Sequence, residues 1–378
     1  MREKEVFLGN RPTVALIDIN ALGNNYRRIR GLIQASTGMM AVVKANAYGH
    51  GDVEVSRELE ALGCEFFGVA FAGEGARLRE AGIQSPIVVL GGVTPEEIEE
   101  VFRFELTPVV YDIETAGLLN EHAARTGKRR PVHVKIDSGM GRLGLLPEDV
   151  PLFFRRFAAL DNLFLEGMLS HFAETYGEDS AFSEKQLSTF LHAVDTARKT
   201  GCSPVYTYMA NSAAIVDFRK SHFNLVRPGL MLYGVYPESG LREKIRLDPV
   251  LSLKTRILQL KKVPPGFSVS YGRTFVTSRE SLIATIPIGY GDGLPRSLTG
   301  RGEVIVRGRR APMVGAICMD LTMVDVTGID GVEAGDDVVL IGTQNGETIT
   351  AEEIAEKAGT IPYEVLCSIS GRVPRLTV

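Results

Sequence analysis

The chain has 378 residues, of which 44% are hydrophobic and 23% charged, and its formal net charge is −4. This length favours two domains, and the small net charge argues against a basic surface for nucleic acid or an acidic tail. No apolar run is long enough to span a bilayer and the first residues contain no apolar signal segment, so we expect a cytoplasmic protein without a membrane partner.

The four cysteines and six histidines show neither a disulfide pattern nor a metal-binding pattern. No two cysteines form a Cys-x-x-Cys pair, which is typical of reduced thiols, and no two histidines follow the His-Glu-x-x-His spacing of zinc enzymes. We therefore expect reduced thiols and no metal ion.

Apolar runs and amphipathic segments alternate along the first two thirds of the chain. An opening strand at Val14 to Asp18 and a helix through Tyr26 to Ile33 come first. Eight strand candidates follow, namely MAVVKA, FFGVA, PIVVLG, TPVVYD, VHVKID, LEGMLSHF, YTYMAN and LVRPG. Eight β/α repeats predict an α/β fold of the (β/α)₈ barrel type. A doubly wound sheet stays open as the alternative, because periodicity cannot show that a sheet closes.

Beyond about residue 243 the sequence changes to short β-branched runs separated by turns, which predicts a mainly β domain. One helix is expected there, at TAEEIAEKAG, with Thr350 as its N-cap. We place residues 1–242 in the barrel and residues 243–378 in the β domain, and the first 18 residues are able to pack with the latter.

The stretch AVVKANAYGHG, residues 41–51, places Lys44 at the end of an apolar strand and before a turn rich in glycine. Ligands collect at the carboxyl ends of strands in α/β folds, and an amine in such a dry position loses its charge easily and can act as a nucleophile. The alternative reading is a surface lysine that caps the strand.

Polar residues also follow later strands. The stretch KIDSGMGRLG, residues 135–144, follows the fifth barrel strand, and His171, Ser212 and Arg227 follow the next three. Because these strand ends meet at one mouth of a barrel, the pattern predicts a concave site. Arg227 ends an apolar strand without an acidic neighbour in the sequence, which indicates that a ligand pairs with it.

The same stretch contains a G-x-G-x-x-G pattern at Gly139, Gly141 and Gly144, so a dinucleotide site must be considered. That fingerprint requires a helix to begin within the glycines, on the first β/α unit of a sheet, whereas here a helix is expected only near Pro147. Arg142 is better suited to bind a carboxylate through its two-pronged guanidinium.

A phosphate group could be bound without a P-loop by Ser212, Gly229 and Leu230, which combine a hydroxyl with backbone N–H groups, although an ordinary β/α turn would look the same. In the β domain, SYGRTF places Tyr271 after a Pro-Gly turn, and VGAICMDLTMVD places Met319 in an apolar strand. A tyrosine in such a domain, Tyr363 included, is usually a core residue.

Taken together, the motifs AVVKANAYGHG, KIDSGMGRLG, SHFA, MANSAA, VRPGLMLYG, SYGRTF, IPIGYGDG, ICMD and IPYEVLCSIS resemble the ordered motif set of the alanine racemases across nearly the whole chain. The resemblance implies a pyridoxal-phosphate-binding barrel followed by a β domain. It also implies interconversion of L- and D-alanine, which supplies D-alanine for bacterial peptidoglycan.

The resemblance assigns roles to individual positions. Lys44 would hold the cofactor as an imine and act as the base on the D-alanine side, and Tyr271 would be the opposite base, aided by the positive field of His171 and Arg227. Arg227 would face the pyridine nitrogen. The implied phosphate ligands are Tyr48, Ser212, Gly229, Leu230 and Tyr363, with Asn211 beside them. Arg142 and the Met319 N–H would bind the substrate carboxylate. Lys135 matches a lysine that relatives carry as a carbamate.

A head-to-tail homodimer is implied, because Tyr271 and Met319 belong to the second domain and yet serve a site at the barrel mouth. The chain departs from the family at Ala316, where an arginine is usual, which leaves turnover of serine open. The rival readings are a racemase of broader specificity, another barrel-type pyridoxal enzyme such as a decarboxylase, and a non-catalytic pyridoxal-phosphate carrier.

Overall fold

The computed structural model describes residues 11–175 and 181–378 of the chain. Its first elements are strand β1 (Val14–Ile17) and helix α1 (Ile19–Arg30). The prediction of a helix through Tyr26 to Ile33 was wrong in its bounds, because the helix begins seven residues earlier. The cause is a cap: the Asp18 carboxylate accepts a hydrogen bond from the Ala21 N–H at 2.9 Å and so starts the helix there.

Eight parallel strands form the first sheet, and each contains or overlaps one of the predicted runs. They are β2 (Gly38–Val42), β3 (Phe66–Val69), β4 (Ile87–Val89), β5 (Thr107–Val110), β6 (Arg130–Lys135), β7 (Leu163–Leu169), β8 (Tyr206–Tyr208) and β9 (Leu225–Val226). Their order in space is β8-β7-β6-β5-β4-β3-β2-β9, so the last strand lies beside the first.

The remaining seam, between β8 and β9, is bridged by polar groups. The Arg227 N–H donates to the Ala210 carbonyl at 2.9 Å, and the Asn224 side chain accepts from the Thr207 N–H and donates to the Val205 carbonyl. The barrel is therefore closed. This confirms the predicted fold class and excludes the doubly wound sheet.

Helical segments follow the strands; the first of them is a short left-handed turn at the barrel mouth, and the longer helices cover the outside of the barrel. They are α2 (Lys44–Tyr48), α3 (Asp52–Ala61), α4 (Ala72–Glu80), α5 (Ile98–Arg103), α6 (Ile113–Thr126), α7 (Val150–Phe157), α8 (Ala181–Lys199) and α9 (Ser212–Asp217). Short 3₁₀ turns add Pro95–Glu97, Arg219–Ser221, Leu230–Tyr233 and Ser239–Glu243. Helix α6 shows how the sequence sets these bounds, because Asp112 caps its start and the left-handed Gly127 ends it.

The barrel interior is filled by one apolar side chain from almost every strand. Seven strands contribute Met40, Phe66, Val88, Val109, Leu169, Tyr208 and Leu225. On the remaining strand, β6, the buried His133 bonds to Tyr208 of this cluster. The interior is thus a packed core with one polar contact, and it leaves the strand ends as the place for a site.

The second domain is built from two main sheets and a small hairpin. Its strands are β10 (Leu251–Arg256), β11 (Gln259–Val263), β12 (Ser268–Val269), β13 (Phe275–Val276), β14 (Ser281–Ile286), β15 (Glu303–Val306), β16 (Arg309–Pro312), β17 (Thr322–Asp325), β18 (Asp337–Gln344), β19 (Glu347–Ile349) and β20 (Arg375–Thr377). Helices α10 (Ala351–Ala358) and α11 (Pro362–Ser368) follow β19, and 3₁₀ turns lie at Tyr271–Arg273, Tyr290–Asp292 and Arg296–Leu298.

Two details of this domain bear on the predictions. Thr350 caps α10 as expected, since its side chain accepts from the Glu353 N–H at 3.1 Å. The prediction that Met319 lies in a strand was wrong, because strand β17 begins at Thr322. The carbonyls of Cys318 and Met319 instead accept hydrogen bonds from the N–H groups of the 3₁₀ turn at Tyr290, which takes them out of any sheet ladder.

Strand β1 belongs to the sheet of the second domain, where it pairs antiparallel with β10 and parallel with β20. The chain therefore starts in one domain, builds the barrel, and returns to the first sheet. Residues 1–10, for which we also considered packing with the β domain, lie outside the described residues, and the boundary at residues 242 and 243 stays a prediction.

Candidate active site

A cavity of about 590 Å³ lies at the carboxyl ends of the barrel strands. Its lining includes the predicted site residues of the barrel together with one from helix α11, namely Lys44, Tyr48, Lys135, Arg142, His171, Asn211, Ser212, Arg227, Gly229, Leu230 and Tyr363. The structure thus brings together side chains that are spread over more than 300 positions of sequence. Tyr271 and Met319 are not among the lining residues.

The charges that line this cavity all have the same sign. Lys44, Lys135, Arg142 and Arg227 contribute to the wall, and no aspartate or glutamate does so among the described residues. Like charges gathered in a partly desolvated cavity repel one another, and only an anionic ligand relieves that repulsion. The cavity is therefore suited to a ligand that carries phosphate and carboxylate groups.

Lys44 stands at the start of a strained turn. Strand β2 ends at Val42, and the four residues after the lysine, Ala45 to Tyr48, have φ angles of 53, 55, 52 and 53°. For residues with a Cβ, this left-handed conformation costs about 1–2 kcal/mol each. A turn of this kind persists only where surrounding groups hold it, and strain of this kind clusters at functional sites.

Three side chains bond to the backbone of this turn. The Glu74 carboxylate accepts from the Ala45 N–H at 2.8 Å and from the Ala70 N–H at 2.7 Å. The His50 Nδ1–H donates to the carbonyls of the turn, since both contacts are to oxygen acceptors. From strand β20, the Arg375 guanidinium donates to the Gly49 carbonyl at 3.0 Å.

Helix α11 closes the turn from the second domain. Gly49 has a φ of 83°, and a Cβ added there would lie 2.2 Å from the Leu366 carbonyl oxygen, so only glycine fits. The same helix carries Tyr363, whose ring packs 5.8 Å from that of Tyr48. The position of Lys44 thus depends on contacts from both domains.

The amine of Lys44 is prepared to lose its proton. Burial lowers its pKa, and the nearby guanidinium groups of Arg142 and Arg227 lower it further. Glu74 acts weakly in the opposite direction. A lysine with a lowered pKa is neutral more often at neutral pH, which is the form that attacks a carbonyl.

Arg227 follows strand β9 as a buried cation with no acidic partner among the described ion pairs. Its Nη2 donates to the Ser170 carbonyl at 2.8 Å and to His171 Nδ1 at 3.2 Å, while its Nε has no hydrogen-bond partner. A buried donor without an acceptor is costly, and native structures rarely leave one unpaired. The free N–H fits a ligand acceptor such as a ring nitrogen.

His171 is neutral in this site. Its Nδ1 faces a guanidinium donor and so carries a lone pair, and burial together with Arg227 holds its pKa well below 6.5. The predicted positive field of His171 and Arg227 was therefore half wrong, because only Arg227 carries the charge. His171 remains placed to pass a hydrogen bond outward from Arg227 through its other nitrogen.

The opposite end of the cavity contains hydroxyl groups and a helix start. Ser212 opens α9, and Asn211 caps it by accepting from the Ala214 N–H at 3.0 Å. The Ser212 hydroxyl accepts from the Gly229 N–H at 2.9 Å. Burial raises the pKa of Tyr363 to about 12, so this phenol stays protonated and can donate to a phosphate oxygen.

Arg142 is presented by a loop and not by a helix. The Asp137 carboxylate accepts hydrogen bonds from the backbone N–H groups of Gly139, Gly141 and Arg142 at 2.9–3.0 Å, and so ties the loop into a ring. The next helix, α7, begins only at Val150. The dinucleotide reading of the three glycines is therefore wrong, because the helix that follows them in the chain does not begin within the glycines.

Tyr271 and Met319 lie apart from the cavity within one chain. The Tyr271 side chain is 75% exposed and Met319 is 52% exposed. Tyr271 lines a separate opening with Arg296, Arg301 and the buried Ala316. A single chain therefore does not complete the predicted constellation.

Sequence reasoning missed several residues of the site. Ile361 and Cys367 of the second domain line the cavity, and Glu74 and Arg375 hold the lysine turn. Glu74 could have been found, because it lies in the first turn of a helix that follows a barrel strand. Arg375 gave no signal, since it reaches the turn from the far end of the chain.

Comparison with known proteins gives a consistent result. Family models described as the N-terminal and C-terminal domains of alanine racemase match residues 17–237 and 250–377. An alanine racemase of Geobacter sulfurreducens is 48% identical over 98% of both chains. The structure of alanine racemase from Clostridium difficile 630 superposes with a TM-score of 0.93 at 38% identity over 97% of this chain and 96% of that chain.

A further solved structure concerns the ligand. It is that of alanine racemase from Bartonella henselae with covalently bound pyridoxal phosphate, with a TM-score of 0.87 at 31% identity over 97% of this chain and 99% of that chain.

Across residues 11–175 and 181–378, no group of three or more histidine, cysteine or acidic side chains is arranged to hold a metal ion. No helix in this part of the chain combines the length and apolar character needed to cross a membrane.

We predict that Glu74→Gln loosens the turn that presents Lys44. A glutamine has one acceptor oxygen, so one of the two backbone N–H groups would face an amide NH₂. The loss of that hydrogen bond should reduce the free energy of unfolding by about 1–3 kcal/mol. Denaturant unfolding measures this loss. Glu80→Gln, at the exposed end of the same helix, is the matched control; equal stability of the two variants would contradict the role given to Glu74.

Proposed function

Since the chain belongs to the alanine racemase family, we propose that it interconverts L-alanine and D-alanine with pyridoxal phosphate bound at the barrel mouth. We further propose that it does so in the cytoplasm and supplies D-alanine for peptidoglycan. The observation that carries the proposal is the buried Arg227 with its free Nε–H, in a cavity that Lys44 also lines and to which no described acidic residue contributes.

The residues fit the cofactor at both of its ends. Tyr48, Ser212, Gly229, Leu230 and Tyr363 surround the part of the cavity suited to the phosphate, with Asn211 capping the adjoining helix. Lys44 would hold the cofactor covalently. When bound, pyridoxal phosphate supplies an electron sink for the pair left behind when the α-proton leaves.

Arg227 sets the strength of that sink. A guanidinium remains protonated at all ordinary pH values, so Arg227 can donate a hydrogen bond to the pyridine nitrogen but cannot give it a proton. The ring then stays uncharged, which disfavours transamination as a side reaction. His171 and Arg142 also line the cavity, and we assign the substrate carboxylate to the Arg142 guanidinium, which can bind it as a fork.

Racemisation requires a base on each face of the substrate carbon, because one side chain cannot remove a proton from one face and return it to the other. Lys44 serves one face. The second base is the Tyr271 hydroxyl, which lies outside the cavity of its own chain. We therefore assign the second base to the partner's Tyr271, and the second carboxylate contact to the Met319 N–H of the partner subunit.

An exposed apolar face on the second domain supports such a dimer. Tyr271, Tyr290, Met319, Leu321 and Ile361 are exposed in the single chain, and Ile361 also lines the cavity. Several large exposed apolar side chains on one domain are typical of a protein interface. A homodimer in which each β domain covers the other chain's barrel mouth buries these groups and completes both sites.

Substrate range is the second proposal, and it rests on Ala316. This residue is buried beside the opening that Tyr271 lines, and it has no charged side chain to narrow that opening. A pocket rejects one added hydroxyl by only about 1–3 kcal/mol. Slow turnover of serine is the expected consequence. The carrier hypothesis is less economical, because a carrier has no use for the second base.

The first prediction from the proposed function concerns Lys44. Purified protein should show a visible absorption band from bound cofactor and should racemise L- and D-alanine, and Lys44→Ala should lose both, because the covalent link and one base are the same amine. Lys128→Ala, an exposed lysine on the barrel, is the control. A band without turnover would support the carrier, and no band after added cofactor would end the pyridoxal proposal.

The second prediction concerns the shared site. Lys44→Ala and Tyr271→Phe chains are each expected to be inactive, and a mixed dimer has one site with both bases intact. Random exchange makes half of the dimers mixed, so the mixture should recover about a quarter of wild-type activity. A different affinity tag on each variant verifies subunit exchange and selects the mixed dimers. If the selected mixed dimers recover no racemase activity, the two subunits do not share their active sites.

The third prediction concerns Lys135, which we propose is a carbamate that orients Arg142. Burial, Arg227, Arg142 and Lys44 lower the pKa of Lys135 to about 8, so at pH 7 about a tenth of its amines are neutral and can add CO₂ with release of one proton. Labelled bicarbonate should give a carbamate ¹³C NMR signal that grows from pH 7 to 8.5 and is absent in Lys135→Ala. Absence of this carbamate signal from the wild type would mean that Lys135 is unmodified.

A further inference from the structure

A chain of three polar side chains, two of them buried and the third partly exposed, runs through the barrel and ends under Arg227. His133 Nε2 lies 2.9 Å from the Glu166 carboxylate, and His133 Nδ1 lies 2.6 Å from the Tyr208 hydroxyl. The Arg227 guanidinium carbon lies 5.5 Å from the centre of the Tyr208 ring, over its face. We call Glu166, His133 and Tyr208 the polar triad. None of the three lines the cavity.

Chemistry fixes the direction of both hydrogen bonds when the imidazole is neutral. An ionised carboxylate only accepts, so His133 Nε2 carries the hydrogen and donates it to Glu166. Nδ1 is then the acceptor, and the Tyr208 hydroxyl donates to it. The negative charge of Glu166 therefore draws the phenol hydrogen away from the ring through the imidazole, which leaves more electron density on the ring face.

The backbone is shaped to build this arrangement. The β6–β7 pairing shifts register between Val132 and His133, so one extra residue of β7, Glu166, is accommodated as a bulge. A bulge re-aims a side chain, and here it brings Glu166 next to His133. The following residue, Gly167, makes room: a Cβ there would lie 2.6 Å from the His133 ring.

We propose that the polar triad positions Arg227 to donate a hydrogen bond to the pyridine nitrogen. The triad supplies negative electrostatic potential at the guanidinium, but it offers no atom that would accept a hydrogen bond from the guanidinium N–H groups. This inference rests on the proposed function, because Arg227 acts there on the cofactor. Arg227 has no ion pair among the described residues, and yet it is buried. A cation over an electron-rich ring is stabilised electrostatically, and burial strengthens this attraction.

The alternative of a carboxylate placed directly against Arg227 would serve the enzyme worse. Such a carboxylate would accept the guanidinium N–H groups and compete with the ring nitrogen for them. In the polar triad, His133 and Tyr208 separate Glu166 from Arg227. The negative charge of Glu166 therefore stabilises the guanidinium while the Arg227 Nε–H stays free. Glu166 keeps its side chain 21% exposed, which spares it the full cost of burying a carboxylate.

Two forms of the cofactor test this role without measuring turnover. Pyridoxal phosphate and its deaza analogue, in which carbon replaces the ring nitrogen, differ only at the atom that Arg227 contacts. A hydrogen bond to a charged donor should make the wild type bind the natural form about ten times more tightly or better. In Tyr208→Phe, which keeps the ring and removes the hydroxyl, that ratio should fall at least threefold.

The controls separate positioning from packing. Tyr206→Phe removes a hydroxyl from the same strand, from a side chain that packs on Phe66, and should leave the ratio unchanged. Glu166→Gln should lower the ratio as well, but it should have no further effect in the Tyr208→Phe background, because the hydroxyl that transmits the charge is gone. Unfolding temperatures of the cofactor-free chains show that each variant is folded.

The outcomes distinguish this inference from the proposed function. Equal affinity of the wild type for both cofactor forms would mean that Arg227 does not contact the ring nitrogen, and would count against the proposed site. A preference in the wild type that survives in Tyr208→Phe and Glu166→Gln would overturn the polar triad alone. A lower unfolding temperature with an unchanged ratio would give the polar triad a packing role only.

Discussion

The buried guanidinium of Arg227 is the constraint on which the site depends. Removing a charged group from water costs several kcal/mol even after the protein relaxes around it. The barrel offsets that cost with carbonyl acceptors, the lone pair of His171 and the Tyr208 ring, and it provides no carboxylate at this position. The same choice keeps His171 neutral, lowers the pKa of Lys44 and leaves one N–H for the cofactor. Burial first, and then the guanidinium groups of the site, lower the pKa of both His171 and Lys44.

The strained turn after Lys44 shows how the two domains share the task of building this site. The four left-handed residues of this turn are strained, and contacts from several parts of the chain hold them in place. Glu74 holds the turn from the barrel, while Arg375 and helix α11 hold it from the second domain. The second domain is thus part of the support for the cofactor lysine in its own chain, in addition to the interface that we propose for the partner.

Much of the fold and of the site could be predicted from the sequence, because apolar strands that end in polar residues leave a clear pattern. Lys44, Arg142, His171 and Arg227 were all found in this way, and the structure places them around one cavity. The left-handed turn could not be predicted, since Ala-Asn-Ala-Tyr has no glycine to indicate positive φ and is held by distant contacts. Glu166 was missed for a related reason. Strict alternation of side chains along strand β7 would point Glu166 away from the barrel interior, and only the bulge turns it toward His133.

The place of strand β1 has a consequence for how the protein forms during synthesis. Residues 14–17 leave the ribosome early, but their partners in the sheet are residues 251–254 and 375–377. The first strand must therefore wait, with its edges unpaired, while the whole barrel is made. Unpaired strands invite association with other chains, so the protein is exposed to aggregation until residues 251–254 and 375–377 are available for pairing. Removal of residues 375–377 would leave the edge of strand β1 that faces β20 permanently unpaired, while the edge that faces β10 could still pair.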